Sequence, residues 1–257
     1  MRLWYDNETY KCDMTVSSAE TGYPGTNIQD TQLKKTARST NVTSVQTWDF
    51  DAGSGNTIDC DSVAILGHNI SATASQIQFV MSASADFSGA TTSVVLTHST
   101  GLMAVYFVAD SERYARVLVA DMGNSDGYIE MGFVYVASHV QITGGVGIDF
   151  PYQRMDSSTG EYSNTGQWFG DEGELLDLYN FHMPYMNNAF KKQMLTIFEE
   201  VKTVKPMIMD FNESAWSSIR PLYCRFNDSI SFNHIAVAVG TDYDFHWNCD
   251  ISLKEIK

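Results

Sequence analysis

Cys60-Asp-Ser-Val-Ala-Ile-Leu-Gly-His-Asn-Ile-Ser71 is the stretch on which the reading of the first half of the chain turns. Val63 to Leu66 form a short apolar run with no helical period, closed by a glycine, and such a run belongs to a buried strand. Gly67 permits a positive φ, so the chain can turn sharply there. His68 and Asn69 follow at once, with side chains able to bond nearby backbone groups. Two roles stand open for this pair: holding the turn, or touching a ligand.

Outward from this stretch, residues 1 to about 139 read as short strands separated by small polar turn residues. Gln46-Thr-Trp-Asp-Phe50 precedes it and runs into Asp51-Ala-Gly-Ser-Gly-Asn56. Ile77-Gln-Phe-Val-Met81, Ser93-Val-Val-Leu-Thr97, Val105-Tyr-Phe-Val108, Ala115-Arg-Val-Leu-Val119 and Tyr128 to Val136 follow it. Eight or so strands at this spacing predict a sandwich of two sheets whose inner faces form one core. Thr143 to Gly170 is rich in Gly, Ser, Thr and Asn, and marks a turn-rich connector.

Beyond the connector, Phe190, Met194, Ile197, Phe198 and Val201 recur at helical spacing, so Asn187 to Val201 reads as an amphipathic helix. Asn187 or Asn188 can cap its first turn, and Pro206 prevents it from running on. Pro206 to Phe211, Arg220 to Phe226, Ile235 to Val239 and Asp250 to Ile256 read as strands. The expected fold class is therefore mainly β. An N-terminal β-sandwich over 1–140 and a linker over 141–170 precede a small α+β domain over 171–257 with one clear amphipathic helix.

Five short motifs in order carry a resemblance. They are Lys35-Thr-Ala-Arg-Ser-Thr40, Trp48-Asp-Phe-Asp-Ala-Gly53, Val63-Ala-Ile-Leu-Gly-His-Asn-Ile70, Ile77 to Ser82 with Asp86-Phe-Ser88, and Arg113-Tyr-Ala-Arg-Val117 leading to Tyr128 to Val136. Over about 30 to 140 the chain resembles the galactose-binding-like jelly roll of the discoidin type, in the version found in tail proteins of tailed bacteriophages. Residues 185 to 257 are more loosely similar to the C-terminal part of such proteins. The resemblance implies a non-enzymatic structural component of the virion at the tail tip or baseplate, made in the host cytoplasm. Its implied partners are copies of itself and other tail proteins. The alternative is a carbohydrate-binding module that meets a host surface glycan through the loops at one end of the jelly roll.

The candidate ligand or interface residues are Arg38, His68 and Asn69 in the motifs. Trp4 and Tyr5 near the start, and Trp168 and Phe169 in the linker, are added because flat rings stack on sugars and are enriched at protein interfaces. Tyr10, Tyr23 and Tyr162 belong to the same aromatic segments, and Met1 to Tyr23 is expected to reach for a neighbouring subunit.

Composition narrows the field. Lys and Arg number 16 against 31 Asp and Glu, a net charge of −15, which gives counterion release from nucleic acid little to work with. The longest apolar run, Leu102 to Ala109, is far short of the roughly 20 residues of a membrane span. Met1 to Thr9 turns polar at Asp6 and lacks the apolar core of a signal peptide. Cys12, Cys60, Cys224 and Cys249 are scattered, so reduced thiols are expected rather than a metal ribbon or a disulfide scaffold. No nucleophile elbow, P-loop, H-E-x-x-H or dinucleotide fingerprint occurs. Catalytic, cofactor and metal residues are each expected to be none. Asp121 to Gly127 offers oxygen ligands but lacks EF-hand spacing, and reads as a turn.

Overall fold

The computed structural model describes residues 1–142, 152–156, 158–165, 167–173, 175–211, 221–239 and 242–256. In chain order the strands are β1 (Arg2–Trp4), β2 (Asp13–Val16), β3 (Ala37–Arg38), β4 (Gln46–Asp51), β5 (Ile58–Leu66), β6 (Gln76–Ser82), β7 (Thr92–Val95), β8 (Leu102–Glu112), β9 (Tyr114–Ala120), β10 (Glu130–Met131), β11 (Phe133–Ala137) and β12 (Val140–Gln141). They continue as β13 (Tyr152–Asp156), β14 (Thr159–Tyr162), β15 (Trp168–Asp171), β16 (Leu175–Met186), β17 (Met207–Asp210), β18 (Leu222–Phe226), β19 (Ser231–Val239) and β20 (Asp242–Glu255), with helix α1 (Asn188–Val201) between β16 and β17. The chain divides into two compact units, Asp6–Val140 and Met1–Tyr5 with Gln141–Lys257.

Asp6–Val140 is the expected sandwich. One antiparallel sheet runs β2-β4-β9-β6-β7 and the other β11-β5-β8. Period-two alternation builds the first: Gln46, Trp48 and Phe50 point inward from β4, while Thr47, Asp49 and Asp51 point outward. Ile77, Phe79 and Met81 of β6 and Ala115, Val117 and Val119 of β9 share one core with Cys60, Val63 and Ile65 of β5, Met103 of β8, and Val134 and Val136 of β11. On the outer face Asp49 lies opposite Arg116, and the two form a bidentate pair at 2.6 Å. β11 is buried on both faces. A 3-10 turn at Glu8–Lys11 lies against β11, pinned by Asn7, whose amide donates to the Val134 carbonyl (3.2 Å) and whose Oδ1 accepts from the Val136 N–H (3.0 Å).

The second unit is α+β. Its sheet runs β12-β1-β17-β18-β20-β16-β13, with β19 also paired to β20. Asn187 caps α1, its Oδ1 accepting from the Phe190 N–H at 2.8 Å. Phe190, Met194, Ile197 and Val201 are buried as their spacing predicts. Phe198 departs from that expectation: it is half-buried, its ring edge-on to Phe226 with centroids 5.3 Å apart. Lys202 ends the helix in the left-handed region, at φ 54°.

The N-terminus corrects an expectation. Residues 2–4 do not reach outward; they pair antiparallel with β17, and Leu3 and Trp4 are fully buried. Two bulky apolar side chains at successive positions cover both faces of that strand. Among the described residues, no helix is long and apolar enough to cross a membrane.

Candidate functional site: the loop end of the sandwich

Strand pairing brings four loops to one end of the sandwich. Leu66 lies opposite Leu102 and Phe133, and Ala120 lies opposite Gln76, so residues 67–75, 96–101 and 121–129 converge there. The segment between β2 and β4 joins them, because Val16 pairs with Trp48 and Gln46 with Val119. Arg38, His68 and Asn69 all belong to this end.

Asn69 ties loops together. Its amide donates to Asp126 Oδ2 (2.9 Å) and to the Tyr128 carbonyl (3.0 Å), and its Oδ1 accepts from the Glu130 N–H (2.7 Å). Both donors of the amide are thus committed to the protein, and one lone pair of Oδ1 is left. Asp121 is engaged likewise, accepting from the Ser71 N–H (2.8 Å), the Ser71 hydroxyl (2.6 Å) and the Asn124 amide (3.1 Å). The 121–127 segment is thus a turn whose carboxylate holds the neighbouring loop, and among the described residues no group of three His, Cys, Asp or Glu could hold a metal ion.

His68 and His98 clamp two loops reciprocally. His68 Nε2 bonds the Ser99 carbonyl and His98 Nε2 bonds the Ile70 carbonyl, both at 3.0 Å. A carbonyl only accepts, so both Nε2 atoms carry a proton, and in a neutral ring Nδ1 then bears a lone pair. The rings meet edge-on with centroids 5.9 Å apart. Burial holds His68 below its ordinary pKa, and the neighbouring His98 acts in the same direction.

Arg38 differs. Its guanidinium carbon lies 3.9 Å from the centroid of the Tyr23 ring and 4.8 Å from that of Tyr128, and Nε is 3.0 Å from Glu130 Oε2. β3 pairs with β10 so that Arg38 and Glu130 are direct cross-strand neighbours. The Nη groups make no hydrogen bond among the described residues, and the side chain keeps 24% of its surface. By contrast Arg113 and Arg116 each have both fork positions taken by a carboxylate, Asp51 and Asp49. Tyr128 and Glu130 were legible only as part of the closing strand, because the pairing that makes them Arg38's neighbours is long-range.

The aromatic candidates part ways. Trp4 is buried, so its ring meets no ligand or neighbouring subunit, and Tyr5 is half-buried. Trp168 and Phe169 are 57% and 53% exposed on a hairpin, β14 with β15, inside the segment expected as a linker. Tyr162 lies opposite Trp168, with ring centroids 4.8 Å apart. The indole lies over Gly160 and Gly170, where a Cβ at Gly160 would collide with it.

No family model and no curated protein matches the chain. Solved structures do. The family 32 carbohydrate-binding module of C. perfringens NanJ in complex with galactose is 12% identical at a TM-score of 0.41, covering 55% of this chain and 100% of that one. The lectin domain of lectinolysin complexed with Lewis B antigen is 16% identical at 0.42, covering 52% and 96%. Chitosan-binding module 2 of a chitosanase/glucanase from Paenibacillus sp. IK-5, in complex with chitotriose, is 20% identical at 0.41, covering 51% and 99%. These scores leave the description of the fold resting on the chain's own strand order, a mainly β protein whose first unit is a two-sheet sandwich.

Proposed function

We propose that the protein is a non-catalytic carbohydrate-binding protein that takes a saccharide at the loop end of its sandwich. The observation that carries this reading is Arg38. Its planar fork lies near two tyrosine rings and beside a carboxylate, with its Nη donors uncommitted. Adjacent sugar hydroxyls match such a fork, because two parallel N–H groups can donate to two neighbouring oxygens. Glu130 can accept from a third hydroxyl, and the tyrosine rings supply apolar area for C–H faces. The flanking loops are already cross-tied by Asn69, Asp121, His68 and His98, so little ordering remains to oppose binding.

Calorimetric titration of the full chain against a saccharide panel tests this. Arg38→Ala should abolish measurable binding and Arg38→Lys should weaken it, since an ammonium cannot replace a fork. Arg113→Ala, at the far end of the sandwich, should change nothing. A saccharide bound equally by wild type and Arg38→Ala would overturn the assignment to this end.

The tail-assembly role implied by the sequence resemblance is favoured by one separate observation, the exposed rings of Tyr162, Trp168 and Phe169 on the β14–β15 hairpin. Aromatic side chains of this kind are enriched in protein interfaces. Sedimentation of wild type against Trp168→Ser with Phe169→Ser tests it: an oligomer lost in the double variant supports assembly, and a monomer at every concentration counts against it.

A further inference from the structure

The geometry points to a second saccharide site, in the groove around His182 and Asp250 on the sheet of the second unit. It shares its ligand class with the loop-end reading and none of its residues.

The register places the groups. Asn180 pairs with Ser252 and His182 with Asp250 across β16 and β20, and Ser231 of β19 pairs with Asp250. Alternation turns Phe181, Met183, Cys249 and Ile251 to the face where Trp247 Nε1 bonds Asn188 of α1, and these four are buried. The opposite face carries Asn180, His182, Asp250, Ser252 and Ser231. A groove of about 320 Å³ opens there, at the lower end of the range for small-molecule sites.

Within it, His182 Nδ1 donates to Asp250 Oδ1 at 2.7 Å, which fixes the ring and, in the neutral imidazole, leaves Nε2 as an acceptor. The side chains of Asn180, Ser229, Ser231 and Ser252 make no hydrogen bond among the described residues. Where such groups are buried the chain engages them: Ser39 with Asn41, Ser62 with Ala137, Asn27 with Thr36 and Asn124 with Asn69. One groove thus collects three hydroxyls, an amide, an imidazole acceptor and a carboxylate oxygen, with no Lys or Arg lining it. That mixture of donors and acceptors without a cation suits a neutral polyol rather than an anion.

Tyr185 extends the face. It follows Pro184 at a bulge in β16, between Met183 and Met186, with φ 57°, a conformation strained for a bulky residue. Its N–H is held by Asn248 Oδ1 (3.3 Å), and its ring is 63% exposed beside His246, with centroids 6.2 Å apart. Residues 246, 248 and 250 share a face, so the ring lies along the strand from the groove, placed to stack on a further sugar unit. The cross-strand order Ser231–Asp250–His182 puts the carboxylate between serine and imidazole. A nucleophilic triad needs the imidazole in the middle, so this row is not one, and the groove lining holds a single carboxylate where glycoside hydrolysis uses a pair.

The test is NMR titration of isotope-labelled full chain carrying Arg38→Ala, which removes the loop-end site, with free monosaccharides and short oligosaccharides. The Asn180 side-chain amide and the His182 imidazole should shift saturably. Asp250→Ala and Ser231→Val, each at an exposed position, should weaken that binding about tenfold, or about 1.4 kcal/mol, with melting unchanged. Tyr185→Ala should weaken oligosaccharide binding only. Failure of the loop-end reading would appear as equal total binding by wild type and Arg38→Ala. Failure of this one would appear as Asn180 and His182 signals that no saccharide moves at millimolar concentration, or that move equally in the Asp250 and Ser231 variants.

Discussion

Arg38 is held by rings and Arg113 by a carboxylate fork, and the difference decides what each can do. Arg113 donates to Asp51 from Nε (2.7 Å) and Nη2 (2.9 Å), and this hydrogen bond chiefly holds the Asp51 carboxyl below its usual range. A folded-state value below the unfolded one gives stability that is present above the unfolded carboxylate pKa of about 3.9, and lost as pH falls through the lower folded value. The melting temperature of wild type should therefore exceed that of Asp51→Asn at neutral pH, and the gap should close in acid; parallel curves would contradict the pairing. The cysteines make a second test at this scale. Burial pushes Cys12 and Cys249 up to about 12, and Cys60 and Cys224 higher still, so thiolate is scarce in the folded chain. Iodoacetamide at mildly alkaline pH should label none of the four appreciably until denaturant is added.

Among the elements, those with one clean period were legible and those with mixed signals were not. β4 alternates and α1 carries an apolar stripe, so both are legible in the sequence. β16 escaped notice because Pro184, Asn180 and His182 interrupt its apolar residues; its polar side is the uncovered sheet face, where such residues are tolerated. β1 was missed because three residues hold no period, and its identity as a strand comes wholly from pairing with β17. Of the loop-end residues, Arg38, His68 and Asn69 were visible as motif members. Their division into one open donor and two engaged ties depends on partners distant in sequence. The helix offers a calibrated check. Met194→Ala, at a fully buried position, should cost about 2–5 kcal/mol, whereas Glu199→Ala on the exposed side should cost under about 0.5 kcal/mol. Equal losses in chemical denaturation would mean the buried face is wrongly assigned.

For the whole molecule, a net charge of −15 bears on what it can hold. An acidic chain repels polyanions, and a neutral saccharide is indifferent to the surrounding field. Binding at Arg38 should accordingly change little between low and physiological salt, where the Debye length is about 8 Å, while an anionic ligand would weaken markedly. Both candidate sites are built from side chains whose hydrogen-bonding capacity the fold leaves open. The central claim is that the full chain binds carbohydrate through Arg38. Its most direct test is a glycan array probed with wild type and Arg38→Ala side by side. The account predicts saturable, glycan-selective binding by wild type that is lost at the same features in the variant. Folded wild-type protein that binds no glycan on the array, or a variant that reproduces the wild-type pattern, would contradict it.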